Sequence, residues 1–92
     1  MPAVLDFNAP AIAERFDRAA SYLGIEGGFD GFRAFVRQFN AQLGIPERLS
    51  GLGVENPDVD TLTAAALRDP SCGGNPVELT EESVRSLFAA VL

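Results

Sequence analysis

Three clusters of glycine and proline interrupt the chain and limit the length of any regular element. They lie at residues 24–28, 44–46 and 70–76, and these residue types end helices and form turns. Between the clusters the apolar residues recur every three or four positions, which indicates amphipathic helices. No stretch alternates apolar and polar residues over a useful length, so no strand is predicted. We therefore expect an all-α fold of four main helices plus a short helical turn, as one domain over residues 1–92.

The first helix is predicted over residues 10–23. Asn8 has the side chain of an N-cap residue, Pro10 is tolerated in a first helical turn, and Gly24 is placed to end the helix. Ahead of Asn8 we expect an irregular lead-in. Its apolar side chains are the candidates for exposure, namely Val4, Leu5 and Phe7.

The second helix is predicted over residues 29–44, where Gly44 ends it and Pro46 prevents its simple continuation. An apolar stripe runs along this segment at helical spacing. The stripe consists of Phe32, Phe35, Val36, Phe39 and Leu43. A stripe with so strict a period usually lies in a core, so its phenylalanines are expected to anchor the fold.

The second half of the chain is predicted to begin with a short turn. Leu49, Leu52 and Val54 are expected to fill a gap between helices there. The pair Asn56-Pro57 predicts the start of a third helix, which ends before Asp69. Irregular structure is expected from there to residue 76, because prolines and glycines impose turns. Thr80 is predicted to cap the last helix, with Glu81 and Glu82 at its positive end.

The ionisable residues restrict the chemistry of this chain. It has seven arginines, no lysine, thirteen acidic residues, no histidine and one cysteine. A His/Cys metal site or a histidine-activated nucleophile cannot be built from that set. The net charge of −6 repels phosphate backbones, so nucleic-acid binding is not expected.

We expect a soluble, cytoplasmic protein without a membrane segment. No apolar run approaches the roughly 20 residues that a membrane helix needs, and no charged and apolar leader opens the chain. The single cysteine cannot form a disulfide framework, which suits a reducing compartment.

Three segments are candidates for binding or catalysis. The glycine-rich segment 24–28 lacks the strand and the Lys-Ser/Thr pair of a phosphate loop, so a plain helix–helix turn explains it better. Glu55, Asp58 and Asp60 resemble a calcium loop only in composition, and solvated carboxylates at a helix start account for them. The loop Ser71–Asn75 is better placed, because polar loops between rigid helices often form sites, although it could equally be a plain connector. Within this loop no base is available to activate Cys72, which is therefore interpreted as a bystander.

Three motifs, in order, resemble the C-terminal end of the iron-containing (group III) alcohol dehydrogenases. The opening MPAVLDFNAP resembles that family's Leu-Pro-x-Val-x-x-Phe-Asn-x-Pro stretch. Next, LGIPERLSGLGV resembles its Leu-Gly-Ile-Pro-x-x-Leu-x-x-Leu-Gly-Val segment, and DPSCGGNPVELTEESVRSLFAAVL resembles its Gly-Gly-Asn-Pro loop and final helix. Together they cover essentially all 92 residues.

This resemblance implies the end of the C-terminal helical domain of the dehydroquinate synthase-like fold. Such enzymes bind NAD(P) in an N-terminal α/β domain and hold iron or zinc with an Asp and three His. None of those ligands falls in the matching segment, so catalytic, cofactor-binding and metal-binding residues are not expected in this chain. The family's Cys-Thr-Gly-Gly-Asn-Pro-Arg loop approaches the substrate pocket. Its counterpart here is a possible substrate-cleft loop formed by Ser71, Cys72, Gly73, Gly74 and Asn75, with Val77 in place of the arginine.

Two functional hypotheses follow. In the first, the chain is the C-terminal helical portion of an NAD(P)-linked alcohol or aldehyde oxidoreductase, inactive in isolation, and its partner is the preceding part of the enzyme. In the second, it is a stand-alone helical interaction module or a homo-oligomer without catalytic activity. An independent enzyme built on Cys72 is disfavoured because the chain supplies no base.

Overall fold

The computed structural model describes all residues, 1–92, and every regular element in it is helical. The prediction of an all-α fold is therefore confirmed. The elements are four α-helices and two 3₁₀ helices. In chain order they are α1 (Pro2–Tyr22), α2 (Gly28–Gln42), η1 (Leu49–Leu52), α3 (Val59–Arg68), η2 (Pro70–Gly74) and α4 (Glu81–Val91). None of the helices combines the length and apolar character needed to cross a membrane.

The chain divides into two compact units, Met1–Ile45 and Pro46–Leu92. The first unit contains α1 and α2, and the second contains the remaining elements. Each is described by itself below, and the single domain expected over residues 1–92 stays a prediction.

Helix α1 begins eight residues earlier than the sequence indicates, so the irregular lead-in is wrong. Pro2 starts the helix, where its missing N–H is of no consequence, and the Met1 carbonyl accepts the first intrahelical hydrogen bonds. Pro10 lies inside the helix, and Asn8 is buried there instead of capping it. Of the apolar residues expected to be exposed, Val4 is exposed, Phe7 is half-buried and Leu5 is buried. Burial on one side of α1 outweighs the single hydrogen bond that Pro10 removes.

Both helices of the first unit end in the same way, at Leu-Gly-Ile. Gly24 and Gly44 adopt left-handed conformations with φ of 72° and 70°. The next residue of each motif, Ile25 or Ile45, donates its N–H to a carbonyl five residues earlier. This is the hydrogen-bond pattern of a Schellman cap. The predicted ends of the first two helices are thus confirmed.

The core of the first unit lies between α1 and α2. Leu5, Ile12 and Val36 form its buried centre. Three phenylalanines pack around that centre with edge-to-face rings, Phe16 at 6.2 Å from Phe29 and at 4.8 Å from Phe32. The apolar stripe of α2 was expected to be buried as a whole, and this is wrong. Its other members are about half exposed, namely Phe35, Phe39 and Leu43.

The second unit contains a helical pair, α3 and α4, joined through η2. Thr63 is the most buried side chain of α3, and Val84 is its counterpart on α4. Arg85 of α4 bridges to Asp60 at 2.5 Å and to Glu81 at 2.9 Å. Thr80 caps α4 as predicted, and its hydroxyl accepts the N–H of Ser83.

Three expectations for the second unit need correction. Helix α3 starts after Asp58 instead of at Asn56-Pro57, because the Asp58 carboxylate accepts its first free N–H groups. The segment from Asp69 to residue 76 is not wholly irregular, since it contains η2. The predicted short turn is present as η1. Leu49 is half-buried, but Leu52 is 64% exposed and Val54 is 38% exposed, so these two side chains fill no gap.

Candidate functional site

The candidate substrate-cleft loop, Ser71–Asn75, lies at the end of α3, where η2 shapes it. Asp69 starts η2, because its carboxylate accepts the Ser71 N–H at 2.7 Å and its carbonyl accepts the Cys72 N–H at 3.0 Å. The hydrogen bond from the Ser71 N–H, followed by that from its hydroxyl, lowers the pKa of Asp69 below its ordinary value, while burial acts in the other direction. The loop therefore starts from a fixed, charged anchor.

Cys72 is half-buried, and its thiol is turned towards the protein backbone. The Sγ atom donates to the carbonyl oxygen of Ala66 in the last turn of α3 at 2.8 Å. The same carbonyl also accepts the backbone N–H of Asp69 at 3.1 Å, so the thiol shares an acceptor at the end of α3. A local structural role accounts for the geometry, and the interpretation of Cys72 as a bystander stays a prediction.

The glycine pair Gly73-Gly74 gives the loop an open backbone. Both residues are exposed, and a methyl group added at either would meet no atom within 4 Å. Neither has a positive φ, so side chains can be accommodated there without strain. Asn75 closes the loop by donating its side-chain N–H to the Val77 carbonyl at 2.6 Å. The result is a fixed loop whose central backbone faces open space.

The glycine-rich segment 24–28 is the connection between α1 and α2, as the turn interpretation predicts. The carboxylate of Asp17 accepts the Phe29 N–H at the start of α2, at 2.7 Å. A phosphate bound there would need the same N–H groups, so the position is already taken by an anion of the protein. Sequence reasoning missed Asp17, because twelve residues separate it from its partner and no local motif links them.

The acidic residues near α3 are engaged in helix capping and ion pairing. Asp58 accepts the backbone N–H groups of Asp60 and Thr61, each at 3.1 Å, and the Thr61 hydroxyl at 2.6 Å. The hydroxyl of Thr61, then its backbone N–H, lowers the pKa of Asp58. Asp60 pairs with Arg85, and Glu55 is exposed. No group of three or more His, Cys, Asp or Glu in the chain is arranged to hold a metal ion.

We expect the stability of the second unit to fall as the pH drops below about 4. Asp58 and Asp69 have lowered pKa values in the folded chain. Each therefore contributes stability above its unfolded pKa of about 3.9, and that contribution is lost as the pH falls through the folded value. Asp58→Asn together with Asp69→Asn removes both titrations but keeps side chains that cap helices well. Urea unfolding midpoints between about pH 7 and pH 3 measure the difference. Equal acid dependence of the variant and the parent chain would contradict the assignment.

Comparison with known proteins gives one family and several relatives. The model of the C-terminal region of the Fe-containing alcohol dehydrogenase family matches residues 1–92. Lactaldehyde reductase from Escherichia coli is 32% identical over 95 residues, covering 96% of this chain and 25% of its own. The NADPH-dependent butanol dehydrogenase of Clostridium saccharobutylicum is 25% identical over 100 residues, covering 99% of this chain and 26% of its own. The 1,3-propanediol dehydrogenase of Citrobacter freundii is 27% identical over 97 residues, covering 96% of this chain and 24% of its own. No solved structure matches significantly.

The all-helical fold and the family match together define a helical domain of a metal-dependent oxidoreductase family. The chain belongs to the iron-containing alcohol dehydrogenase family and corresponds to its C-terminal region. The resemblance carried by the three sequence motifs is confirmed. The chain spans about a quarter of the length of the curated relatives that it matches. The iron implied by the family name finds no ligand set among its residues, since histidine is missing and no acidic cluster has the required arrangement.

Proposed function

We propose that this chain is the C-terminal helical portion of a cytoplasmic, NAD(P)-linked, iron-dependent alcohol dehydrogenase that interconverts alcohols and aldehydes. The observation that carries the proposal is the family match over the whole chain. The names of the relatives support the substrate class, because they specify lactaldehyde, butanol and 1,3-propanediol. Metal and nicotinamide would be held by other parts of the enzyme, so the chain alone is expected to be inactive.

The contribution of this chain to the active site would be the loop Ser71–Asn75 as part of the wall of the substrate cleft. Its anchored ends and the open backbone at Gly73-Gly74 support this role. A wall without side chains lets a small substrate approach main-chain groups closely. The half-buried Cys72 thiol donates a hydrogen bond to the Ala66 carbonyl and would not act as a nucleophile.

A chimera tests the proposed function. The 95 matched residues of E. coli lactaldehyde reductase are replaced by this chain, and reduction of lactaldehyde is followed through oxidation of the reduced nicotinamide cofactor. We expect the chimera to be active, and the relative truncated before the matched region to be inactive. An inactive chimera that folds and binds its metal would contradict the proposal. Activity of the isolated chain would contradict its expected dependence on the rest of the enzyme.

The role of the loop predicts a kinetic effect for Gly74→Leu in the chimera. The leucine side chain starts from a Cβ position with no atom within 4 Å, so the unfolding midpoint of the isolated chain should change little. In the chimera it would enter the cleft and lower kcat/KM for lactaldehyde by about tenfold or more. Ala65→Leu, at an exposed position of α3, is the matched control. Equal kcat/KM for the two variants would place the loop away from the substrate.

A second candidate function is a helical interaction module or homo-oligomer without catalytic activity. The exposed large apolar side chains favour it, since such patches usually mark interfaces. Under this alternative the isolated chain should give one sharp species in sizing-column light scattering. The reading frame upstream of Met1 discriminates further. An uninterrupted frame for a nucleotide-binding domain supports the dehydrogenase, and a stop codon with its own ribosome-binding site supports the module.

A further inference from the structure

One side of α2 presents apolar side chains that the rest of the first unit does not cover fully. Phe35, Phe39 and Leu43 follow one another at intervals of four residues, and their exposed fractions are 46%, 48% and 58%. The rings of Phe35 and Phe39 are stacked, with centroids 5.8 Å apart and planes inclined by 7°. We call these three residues the Phe face. Burying the half of these aromatic rings that is still in water would add a large hydrophobic stabilisation.

The Phe face lies on the opposite flank of α2 from its ionic contacts. Val36 is buried towards α1, and successive residues of a helix are turned by about 100°. Phe35 and Arg37 therefore lie on opposite sides of Val36. Arg37 and its neighbour Arg33 both bind Asp6 of α1, with hydrogen bonds of 3.4 Å and 3.0 Å. Ion pairs close one flank of the helical hairpin, and apolar rings line the other.

The stretch of α2 that carries the Phe face is depleted in charge. Arg37 is the only charged residue between positions 34 and 45, and it is engaged with Asp6 on the other flank. The exposed neighbours Gln38 and Gln42 are neutral. Aromatic enrichment with charge depletion is typical of the buried core of an interface, and not of a surface that stays in water.

We propose that the Phe face is the docking surface for an apolar, uncharged surface on the remainder of an iron-type alcohol dehydrogenase. This rests on the proposed function. The relatives extend over about three quarters of their length outside the matched region, and the corresponding part of this enzyme would supply the partner surface. A segment of the same polypeptide would also meet the Phe face at a high effective concentration, which a second copy does not have. The first unit is two helices around the buried cluster of Leu5, Ile12 and Val36, and it gains a second packed layer in this way.

Co-expression tests the docking. The chain is produced with a tag beside E. coli lactaldehyde reductase truncated before its 95 matched residues, and the amount of the truncated protein that co-purifies is measured. We expect co-purification with the parent chain. Phe35→Gln together with Phe39→Gln should weaken it by about tenfold or more, since aromatic anchors dominate interfaces. Tyr22→Gln, an aromatic residue of the same unit that is 92% exposed, is the matched control and should have no effect.

Several results would overturn the docking proposal. They are a failure of the parent chain to co-purify the truncated protein, equal co-purification by the double variant, and a discrete dimer of the isolated chain that the double variant dissociates. A loss of stability of the isolated double variant as large as that of Ile12→Ala would show that the chain itself uses the Phe face. A complex that forms through the Phe face but lacks dehydrogenase activity would contradict the proposed function and leave the docking intact. If the complex or the chimera is active and the double variant does not weaken it, the docking proposal is contradicted and the proposed function is left intact.

Discussion

Gly31→Ala is expected to lower the free energy of unfolding of the first unit by about 3 kcal/mol or more. Gly31 lies in the first turn of α2, against the connection from α1. A Cβ atom there would lie 1.8 Å from the carbonyl oxygen of Glu26 and 2.8 Å from its carbonyl carbon. Both are backbone atoms, so no side-chain rotation relieves the overlap. The connection would have to move, and the hydrogen bond that the Phe29 N–H donates to the Asp17 carboxylate would be disturbed with it.

Gly24→Ala is the matched control for this prediction. Gly24 has a left-handed φ of 72°, but an added methyl group meets no atom within 4 Å. Its cost should therefore be the conformational strain alone, about 1 kcal/mol. Urea unfolding followed by circular dichroism measures both variants. If Gly31→Ala costs no more than Gly24→Ala, the close approach of the two backbone segments is absent in solution.

Local hydrogen-bonding signals were predictable from the sequence, because the residues that make them are neighbours in the chain. Gly24 and Gly44 end their helices and Thr80 starts α4 as expected. The start of α1 was not predictable in this way. Asn8 and Pro10 are local signals for a helix start, yet packing against α2 extends the helix through both of them to Pro2. Tertiary burial outweighs local preference at this point.

Contacts between separate elements of the fold could not be predicted from the sequence. Gly31 looks like an unfavourable residue in a helix, and only the neighbouring Glu26 carbonyl explains it. The cap that Asp17 provides for α2 connects two helices that periodicity describes one at a time. Periodicity also predicts which side of a helix is apolar, but not how much of it the chain itself covers. For that reason the burial of Phe35 and Phe39 was predicted wrongly.

The candidate loop depended on a different kind of sequence information. Its position came from the resemblance of the Gly-Gly-Asn-Pro motif, since composition alone did not distinguish a functional loop from a plain connector. The open backbone at Gly73-Gly74 and the bond from Cys72 to Ala66 required the fold, because η2 creates both. The three departures from the family motif, at Ser71, Cys72 and Val77, change side chains on either side of that open backbone and leave the glycines in place.

Ile12→Ala is expected to be the other strongly destabilising substitution, at about 3 kcal/mol. Ile12 is 8% exposed and contributes one of the three buried side chains at the centre of the first unit. Removing it leaves a cavity beneath Phe16 that so small a core has few side chains to fill. A loss of about 3 kcal/mol raises the unfolded fraction by about a hundredfold. That loss is a large part of the total stability of about 5–15 kcal/mol that is usual for a folded domain.

Ile45→Ala makes the same chemical change at a position of the same unit that is 47% exposed. It should cost about 1 kcal/mol or less, because much of the side chain is already in water. Urea midpoints of the two variants and the parent chain separate burial from any general effect of losing an isoleucine. Equal midpoints for the two variants would show that Leu5 and Val36 do not enclose Ile12 in solution, and the hairpin core would then have to be reassigned.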